Sequence, residues 1–166
     1  ISGCTGMKLD LDRTAFGRSE LTLGGILELD MPEGHPQQAE IAGSLEIQNL
    51  ESRVLVSGTL QATGRADCGR CLEEFQISWD VPVSFMVLRD VDSEETEGET
   101  LLILQQKGEV DLREPLREGA VLGYPQTQVC RDECKGLCPD CGIDRNKGTC
   151  DCEDENVAPR WEGLPG

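Results

Sequence analysis

The cysteine pattern constrains the fold of this chain more than any other feature of its sequence. The chain has nine cysteines. Apart from Cys4 they come in closely spaced groups, at Cys68, Cys71, Cys130, Cys134, Cys138, Cys141, Cys150 and Cys152. No basic start followed by an apolar stretch is visible, so we expect neither export nor a disulfide framework. Pairs separated by two residues instead favour metal binding in a reducing cytoplasm.

The strongest metal signal is Cys138-Pro-Asp-Cys141-Gly142, which has the form of a zinc knuckle. Two residues between the thiolates allow both sulfurs to reach one tetrahedral ion, and Gly142 permits the turn that directs backbone amides at sulfur. Thiolate ligands favour Zn²⁺, and we expect one or two ions. Cys138 and Cys141 are the first predicted ligands, followed by Cys134 and one of the Cys150/Cys152 pair. Reduced free thiols, or disulfides formed after purification, are the alternative.

A second motif, Cys68-Gly-Arg-Cys71, lies between two predicted strands. It could form half of a zinc site on a hairpin, which thiolates from the C-terminal region would complete. A redox-active pair would need a following helix, but Glu73-Glu74-Phe75 leads into strand-like alternation. A structural hairpin with buried thiols is the third reading. Arg70, between the cysteines, could donate to a phosphate or a carboxylate, or could be an ordinary turn arginine.

Alternating apolar residues predict a β-rich body. The segment 39–88 alternates in its apolar side chains and predicts at least four antiparallel strands, most clearly from Ile77 to Phe85. Residues 7–29 are expected to form a pair of strands broken at Gly24-Gly25, and residues 30–38 a loop rich in proline and glycine. The acidic segment 90–100 is expected to be a solvated loop.

The region after the acidic segment predicts a short strand, a helix and a tail. Leu101–Leu104 would return as a strand, and the helix would run from Asp111 to Tyr124, with Asp111 and Glu114 in capping-box spacing. Its apolar face is expected to hold Leu112, Leu116 and Ala120. The predicted fold class is therefore α+β. A mainly antiparallel β body with one helix would occupy residues 7–125, and a zinc-stapled Cys-rich tail residues 126–166. Residues 1–6 resemble a cloning scar.

The charge and the remaining motifs narrow the class of function. Lys and Arg number 15 against 32 Asp and Glu, which gives a net charge of −17. That balance argues against a broad basic face for nucleic acid. The lone His35 has no nucleophile nearby, and Gly24-Gly25 lacks the rest of a phosphate-binding loop. No apolar run could span a membrane. We predict a protein that is not an enzyme and takes no small-molecule substrate.

Several motifs in order along the chain resemble the YceD family, whose members are called large ribosomal RNA subunit accumulation proteins. The resemblance is convincing from Cys68 onward and general in the N-terminal third. The landmarks are Cys68-Gly-Arg-Cys71-Leu72, the Asp111-Leu112 helix ending at Pro125, Cys134-Lys-Gly-Leu-Cys138-Pro-Asp-Cys141-Gly142, Asn146, Cys150-Asp-Cys152 and Pro159-Arg160-Trp161.

The resemblance implies a bacterial or plastid cytosolic factor that supports accumulation or processing of large-subunit ribosomal RNA. No catalytic activity is established for the family. Some members keep the Cys-x-Arg-Cys element and lack the C-terminal cysteines, which implies separable roles for the two motifs.

The predicted partners are the large-subunit ribosomal RNA precursor, a basic ribosomal protein, or both, with Arg70, Arg160 and Trp161 as candidate contact residues. With so acidic a chain, contact with RNA would have to be local, whereas a basic protein would be attracted to the whole body. Two other functions remain open at this point. The chain could be a thiol redox protein that uses Cys68 and Cys71, or a structural interaction module of another complex.

Overall fold

The computed structural model describes residues 7–50, 52–89 and 101–152. The expected cloning scar at 1–6 and the acidic segment 90–100 therefore lie outside the described residues. Along the chain the elements are β1 Lys8–Asp10, β2 Gly17–Glu28, β3 Gln38–Leu50, β4 Arg53–Asp67, β5 Glu74–Leu88, β6 Leu101–Leu104, β7 Glu109–Asp111 and α1 Arg113–Gly123.

A five-stranded sheet forms the body, in the order β2-β3-β4-β5-β6. The first four strands are a meander of antiparallel hairpins, and β6 joins parallel to β5. Strands β1 and β7 pair separately as a small antiparallel sheet. The prediction of a mainly antiparallel α+β fold is confirmed. The segment 39–88, expected to hold at least four strands, instead forms three longer ones, β3, β4 and β5.

Period-two alternation places one face of the sheet in the core. In β5, the odd-numbered residues from Trp79 to Val87 are buried, whereas Asp80, Pro82 and Ser84 between them are exposed. The neighbouring strands keep the same alternation, so their apolar side chains meet on one side of the sheet. Helix α1 covers that side with Leu116 and Ala120, both fully buried. The predicted apolar face of the helix is thus the face that packs.

Two glycines let α1 approach β5 closely. A Cβ at Gly119 would lie 2.6 Å from the carbonyl oxygen of Pro82, too close for any side chain. Gly123 likewise faces the backbone of Asp80. At this short separation Trp79 donates its indole N–H to the carbonyl of Ala120, at 2.9 Å. The helix is therefore fixed on β5 by backbone proximity as well as by apolar burial.

The predicted strand pair in residues 7–29 is wrong. Strand β2 runs unbroken through Gly24-Gly25, which pair in register with Ala42 and Ile41 of β3. The chain turns earlier, after β1, where the carboxylate of Asp10 accepts hydrogen bonds from the next backbone amides. Because β1 pairs with β7, the two strands of this segment are not partners.

The predicted capping box is also wrong, although the helix is present. Leu112 is the N-cap residue and makes no side-chain cap hydrogen bond. Asp111 is held in β7 by pairing with Lys8, and its carboxylate accepts from the amide and guanidinium of Arg113 instead. The guanidinium of Arg113 lowers the pKa of Asp111 to about 2. In the described part of the chain, no helix has the length and apolarity needed to cross a membrane.

Candidate metal centres

The structure brings the eight candidate cysteines together in two groups of four. Cys68, Cys71, Cys130 and Cys134 form what we call the inner cluster, and Cys138, Cys141, Cys150 and Cys152 form the outer cluster. Within each group all four Sγ atoms lie within 4.8 Å of one another. Cys134, expected beside Cys138 and Cys141, belongs to the inner cluster, while both Cys150 and Cys152 join the outer one.

The inner cluster has the spacing of a tetrahedral thiolate site. The Sγ atoms of Cys68 and Cys134 are 3.9 Å apart, and those of Cys71 and Cys130 are 3.8 Å apart. A tetrahedron with metal–sulfur bonds of about 2.3 Å has sulfurs separated by about 3.8 Å. One ion could therefore contact all four sulfurs with little rearrangement.

Each cluster is built on a turn of the same backbone geometry, Cys68–Glu73 in the inner and Cys138–Ile143 in the outer. In both turns the amide of the fifth residue donates to the carbonyl of the first, at 2.9 Å. The amide of the first residue donates to the carbonyl of the sixth, at 2.9 and 2.8 Å respectively. The fifth residue has positive φ in each, 60° at Leu72 and 73° at Gly142. The two turns are structural equivalents.

Amide N–H groups surround the inner sulfurs. The backbone amides of Cys130 and Arg70 lie 3.3 and 3.4 Å from the Sγ of Cys68. The side-chain amide of Asn146 donates to the Sγ of Cys134 at 3.4 Å. Burial raises the pKa of Cys68, but the backbone amides of Cys130, Cys71 and Arg70 outweigh it and lower the pKa to about 6. Such donors stabilise thiolate, the form that binds metal.

In both clusters, contacts between thiols favour the thiolate at some sulfurs, such as Cys134, and the protonated form at others. Burial, and then the neighbouring thiols, raise the pKa of Cys130 to about 12. In the outer cluster, the amides of Cys141 and Asp140 lower the pKa of Cys138 to about 6. The hydrogen bond with Cys141 raises the pKa of Cys152 to about 12. Four thiolates at this separation need a cation among them to offset their repulsion.

The two clusters differ in burial. Cys68 is fully buried, and Cys71 and Cys134 are 4% exposed. Phe75 and Val129 pack against these inner cysteines. In the outer cluster only Cys138 is buried, whereas Cys141 is exposed and the other two are half-buried. Three of the four inner cysteines are thus shielded from solvent and Cys130 is half-buried, whereas three of the four outer cysteines are partly or fully exposed.

Gln128 and Arg70 attach the Cys-rich segment to the body. The carbonyl of Gln128 accepts from the amide of Gly69 at 2.9 Å, and its side-chain amide donates to the carbonyls of Gly34 and Asp67 at 3.0 and 3.1 Å. The guanidinium of Arg70 donates to the carbonyls of Asp132 and Cys134, both at 3.1 Å. Bonds therefore cross the predicted boundary between residues 125 and 126.

Of the three predicted partner contacts, only Arg70 lies within the described residues. Its guanidinium faces the backbone of the inner cluster, and the residue remains exposed. Arg160 and Trp161 lie outside the described residues. Sequence reasoning named Asn146 only as a landmark of the resemblance and assigned no role to it or to Gln128. Neither an asparagine between two cysteine pairs nor an isolated glutamine indicates a particular contact.

Comparison with known proteins gives one family and several relatives. The family model described as "Large ribosomal RNA subunit accumulation protein YceD" matches residues 56–166, which include all eight candidate cysteines and α1. Uncharacterized proteins of Mycobacterium bovis and Mycobacterium tuberculosis are 30% identical over 121 residues, covering 72% of this chain and 58% of theirs. One of Mycobacterium leprae is 26% identical over 110 residues, covering 63% and 48%. The chain thus spans about half the length of these relatives. No solved structure is significantly similar to it.

Proposed function

Because this chain belongs to the YceD family of large ribosomal RNA subunit accumulation proteins, we propose that it supports accumulation or processing of that RNA in the bacterial cytoplasm. It acts as a zinc-containing binding module rather than as an enzyme. The observation that carries the proposal is the family match, since it covers both cysteine clusters and the helix that packs on the body.

Zn²⁺ is the metal that the two donor sets fit best. Each set offers four thiol sulfurs and no oxygen, which is the composition of structural zinc sites. The inner spacings of 3.8 and 3.9 Å match a tetrahedral tetrathiolate. A zinc ion bound by four thiolates supplies a cross-link and keeps no position for substrate. We therefore assign one structural ion to each cluster.

A basic ribosomal protein fits this chain better as the direct partner than RNA does. The net charge is −17, which repels phosphate. Three of the basic side chains near the clusters are engaged internally: Arg70 with backbone carbonyls, Lys147 with Glu73, and Arg145 with the Sγ of Cys138 at 3.6 Å. An acidic module that holds a basic ribosomal protein would help the RNA to which that protein binds to accumulate.

The geometry disfavours a thiol redox enzyme. A redox pair needs one sulfur within reach of an attacking thiol, but Cys68 and Cys71 are buried. Each pairs across the cluster, with Cys134 and Cys130 respectively. The residues after Cys71 enter strand β5 rather than a helix.

Deletion of the gene in its native host tests the proposed role. We expect mature large-subunit RNA to fall relative to small-subunit RNA, with unprocessed precursor accumulating. Sedimentation of the lysate should place the protein with large-subunit precursors, which distinguishes it from a module of some other complex. An unchanged ratio of the two RNAs after deletion would refute the role.

Metal content is the second measurement. Protein purified under reducing conditions should carry about two zinc ions per chain, one for each tetrathiolate set. Elemental analysis well below one equivalent, together with nine freely titratable thiols, Cys4 included, would refute the zinc assignment and leave the ribosomal role to be judged by the deletion.

A further inference from the structure

Helix α1 presents a second face to solvent, opposite the face that packs on the sheet. Glu114, Glu118 and Leu122 follow at intervals of four, so they form one stripe along the helix. Leu122 is 76% exposed, and the adjacent Val121 is 41% exposed. A helix stripe that is acidic at one end and apolar at the other has no packing role in this body.

This stripe forms one wall of a groove. Two adjoining hollows, of about 390 and 690 Å³, run between α1 and the end of β2 and share Asp30, Glu114 and Arg117. On the β2 side the groove is bounded by Ile26, which is 70% exposed. We call this surface the α1–β2 groove, and its principal lining is Ile26, Asp30, Glu114, Glu118, Val121 and Leu122.

The groove carries a net negative charge, because its two hollows are lined by more carboxylates (Glu28, Asp30, Asp111, Glu114 and Glu118) than guanidinium groups (Arg113 and Arg117). Arg117 is already paired with Asp30 and with Glu114, the latter at 2.7 Å. Glu118 and Glu28 have no ion-pair partner within residues 7–50, 52–89 and 101–152. The last turn of α1 contains no basic residue to offset the negative end of the helix dipole. Both the side chains and the backbone therefore favour a cationic occupant.

We propose that the α1–β2 groove binds a basic, amphipathic segment of a ribosomal protein, with lysines or arginines facing Glu118 and an apolar side chain against Leu122. This inference rests on the proposed function and names the surface that performs it. Charge complementarity selects a basic protein over RNA, because the same carboxylates would repel phosphate. The exposed leucine and valine supply the apolar contact that charge alone would lack.

The binding experiment uses the full chain with zinc and a fluorescein-labelled helical peptide of about 16 residues, basic on one face and leucine-rich on the other. Leu122→Ser should raise its Kd about tenfold, the effect of losing one buried leucine contact. Glu118→Lys should raise it severalfold at low salt and less at high salt. Leu104→Ser, at a leucine of similar exposure on β6, should leave Kd unchanged.

A second peptide, with its leucines replaced by serine, separates apolar docking from simple charge attraction. It should bind more weakly, and its Kd should not change with Leu122→Ser. Equal effects of Leu122→Ser and Leu104→Ser would overturn the proposal. The proposal would also be overturned if Leu122→Ser weakened binding of a large-subunit RNA fragment. The same holds if the chain formed a dimer that Leu122→Ser dissociates. Zinc content and circular dichroism confirm that the variants are folded.

Complementation in the deletion strain separates this inference from the proposed function. If deletion lowers the ratio of large- to small-subunit RNA, Leu122→Ser should restore it only in part and Leu104→Ser fully. Full restoration by Leu122→Ser would overturn the groove while the ribosomal role stands. If deletion leaves the ratio unchanged, the ribosomal role fails, and with it the ribosomal identity of the partner.

Discussion

The inner and outer clusters have the same turn geometry and four cysteines each, yet the loops that they close differ greatly in length. The inner cluster connects Cys71 with Cys130, 59 positions apart, and Cys68 with Cys134, 66 apart. Between them lie β5, β6, β7 and α1. The outer cluster closes only the short stretch from Cys138 to Cys152.

Two metal sites with the same ligands are therefore expected to contribute unequally to the stability of the fold. A cross-link that closes a long loop removes more conformational freedom from the unfolded chain than one that closes a short loop. The inner cluster is also the more buried of the two. We therefore expect the inner ion to stabilise the whole fold and the outer ion to order only its own loop.

Removal of one inner ligand has the largest expected effect. Cys71→Ser should lower the free energy of unfolding by about 4 kcal/mol, the chain-entropy value for a cross-link closing a loop of about 60 residues. Urea unfolding of the zinc-loaded protein, followed by circular dichroism, measures it. The same experiment on Cys141→Ser should show the main transition nearly unchanged, with one zinc ion lost. Equal losses in the two variants would mean that both clusters belong to one cooperative unit.

A change in the body separates apolar packing from metal cross-linking. Gly119→Ala places a Cβ 2.6 Å from the carbonyl of Pro82, so α1 must shift from β5. We expect a loss of about 2 kcal/mol. Because the clash is remote from the sulfurs, zinc content should stay the same. Glu118→Ala, one position away and exposed, should change stability by less than about 0.5 kcal/mol. Loss of zinc from Gly119→Ala would show that the body and the inner cluster are coupled.

Asn146 links the loop of the outer cluster to the inner cluster. It lies in sequence between the outer cysteines, but its side chain donates to Cys134 of the inner cluster and accepts from the amide of Lys135 at 2.9 Å. Asn146→Ala should weaken zinc binding at the inner site about tenfold, as loss of a hydrogen bond to a ligand does. Competition with a chromophoric chelator measures this. Asn146→Asp keeps an acceptor oxygen and removes the N–H donor, so an unaltered affinity in Asn146→Asp would contradict the assigned role.

The smallest expected effect concerns the fifth residue of each turn. Leu72 has φ of 60° and is the one described residue other than glycine with positive φ. Leu72→Gly should therefore stabilise the protein by up to about 1 kcal/mol. Gly142→Ala should do the reverse by about the same amount, because its Cβ would meet no atom within 4 Å and only the backbone conformation opposes it. Thermal unfolding of both variants measures these opposite effects. A lower Tm in Leu72→Gly than in the unchanged protein would contradict the prediction.

Sequence reasoning succeeded where the determinants are local. Apolar alternation predicted the strand conformation of residues 39–88, though not the number of strands, and i, i+4 spacing predicted the buried face of α1. Burial on one side of an element leaves such a period in the sequence. It failed for β1, whose partner β7 lies far along the chain and leaves no periodic trace. The division of cysteines between clusters was missed for a similar reason. Cys134 is close to Cys138 in sequence, but the bonds from Arg70 to Asp132 and Cys134 direct it towards the hairpin.

The sequence separation between the two cysteine pairs of the inner cluster also determines when that cluster can be completed during synthesis. Cys68 and Cys71 leave the ribosome first, and Cys130 follows 59 positions after Cys71. At about 5–20 residues per second, the interval is about 3–12 s, ample time for the β4–β5 hairpin to form. The nascent protein thus presents an open pair of thiols until α1 has emerged. Closure of the inner site therefore follows the synthesis of β5, β6, β7 and α1.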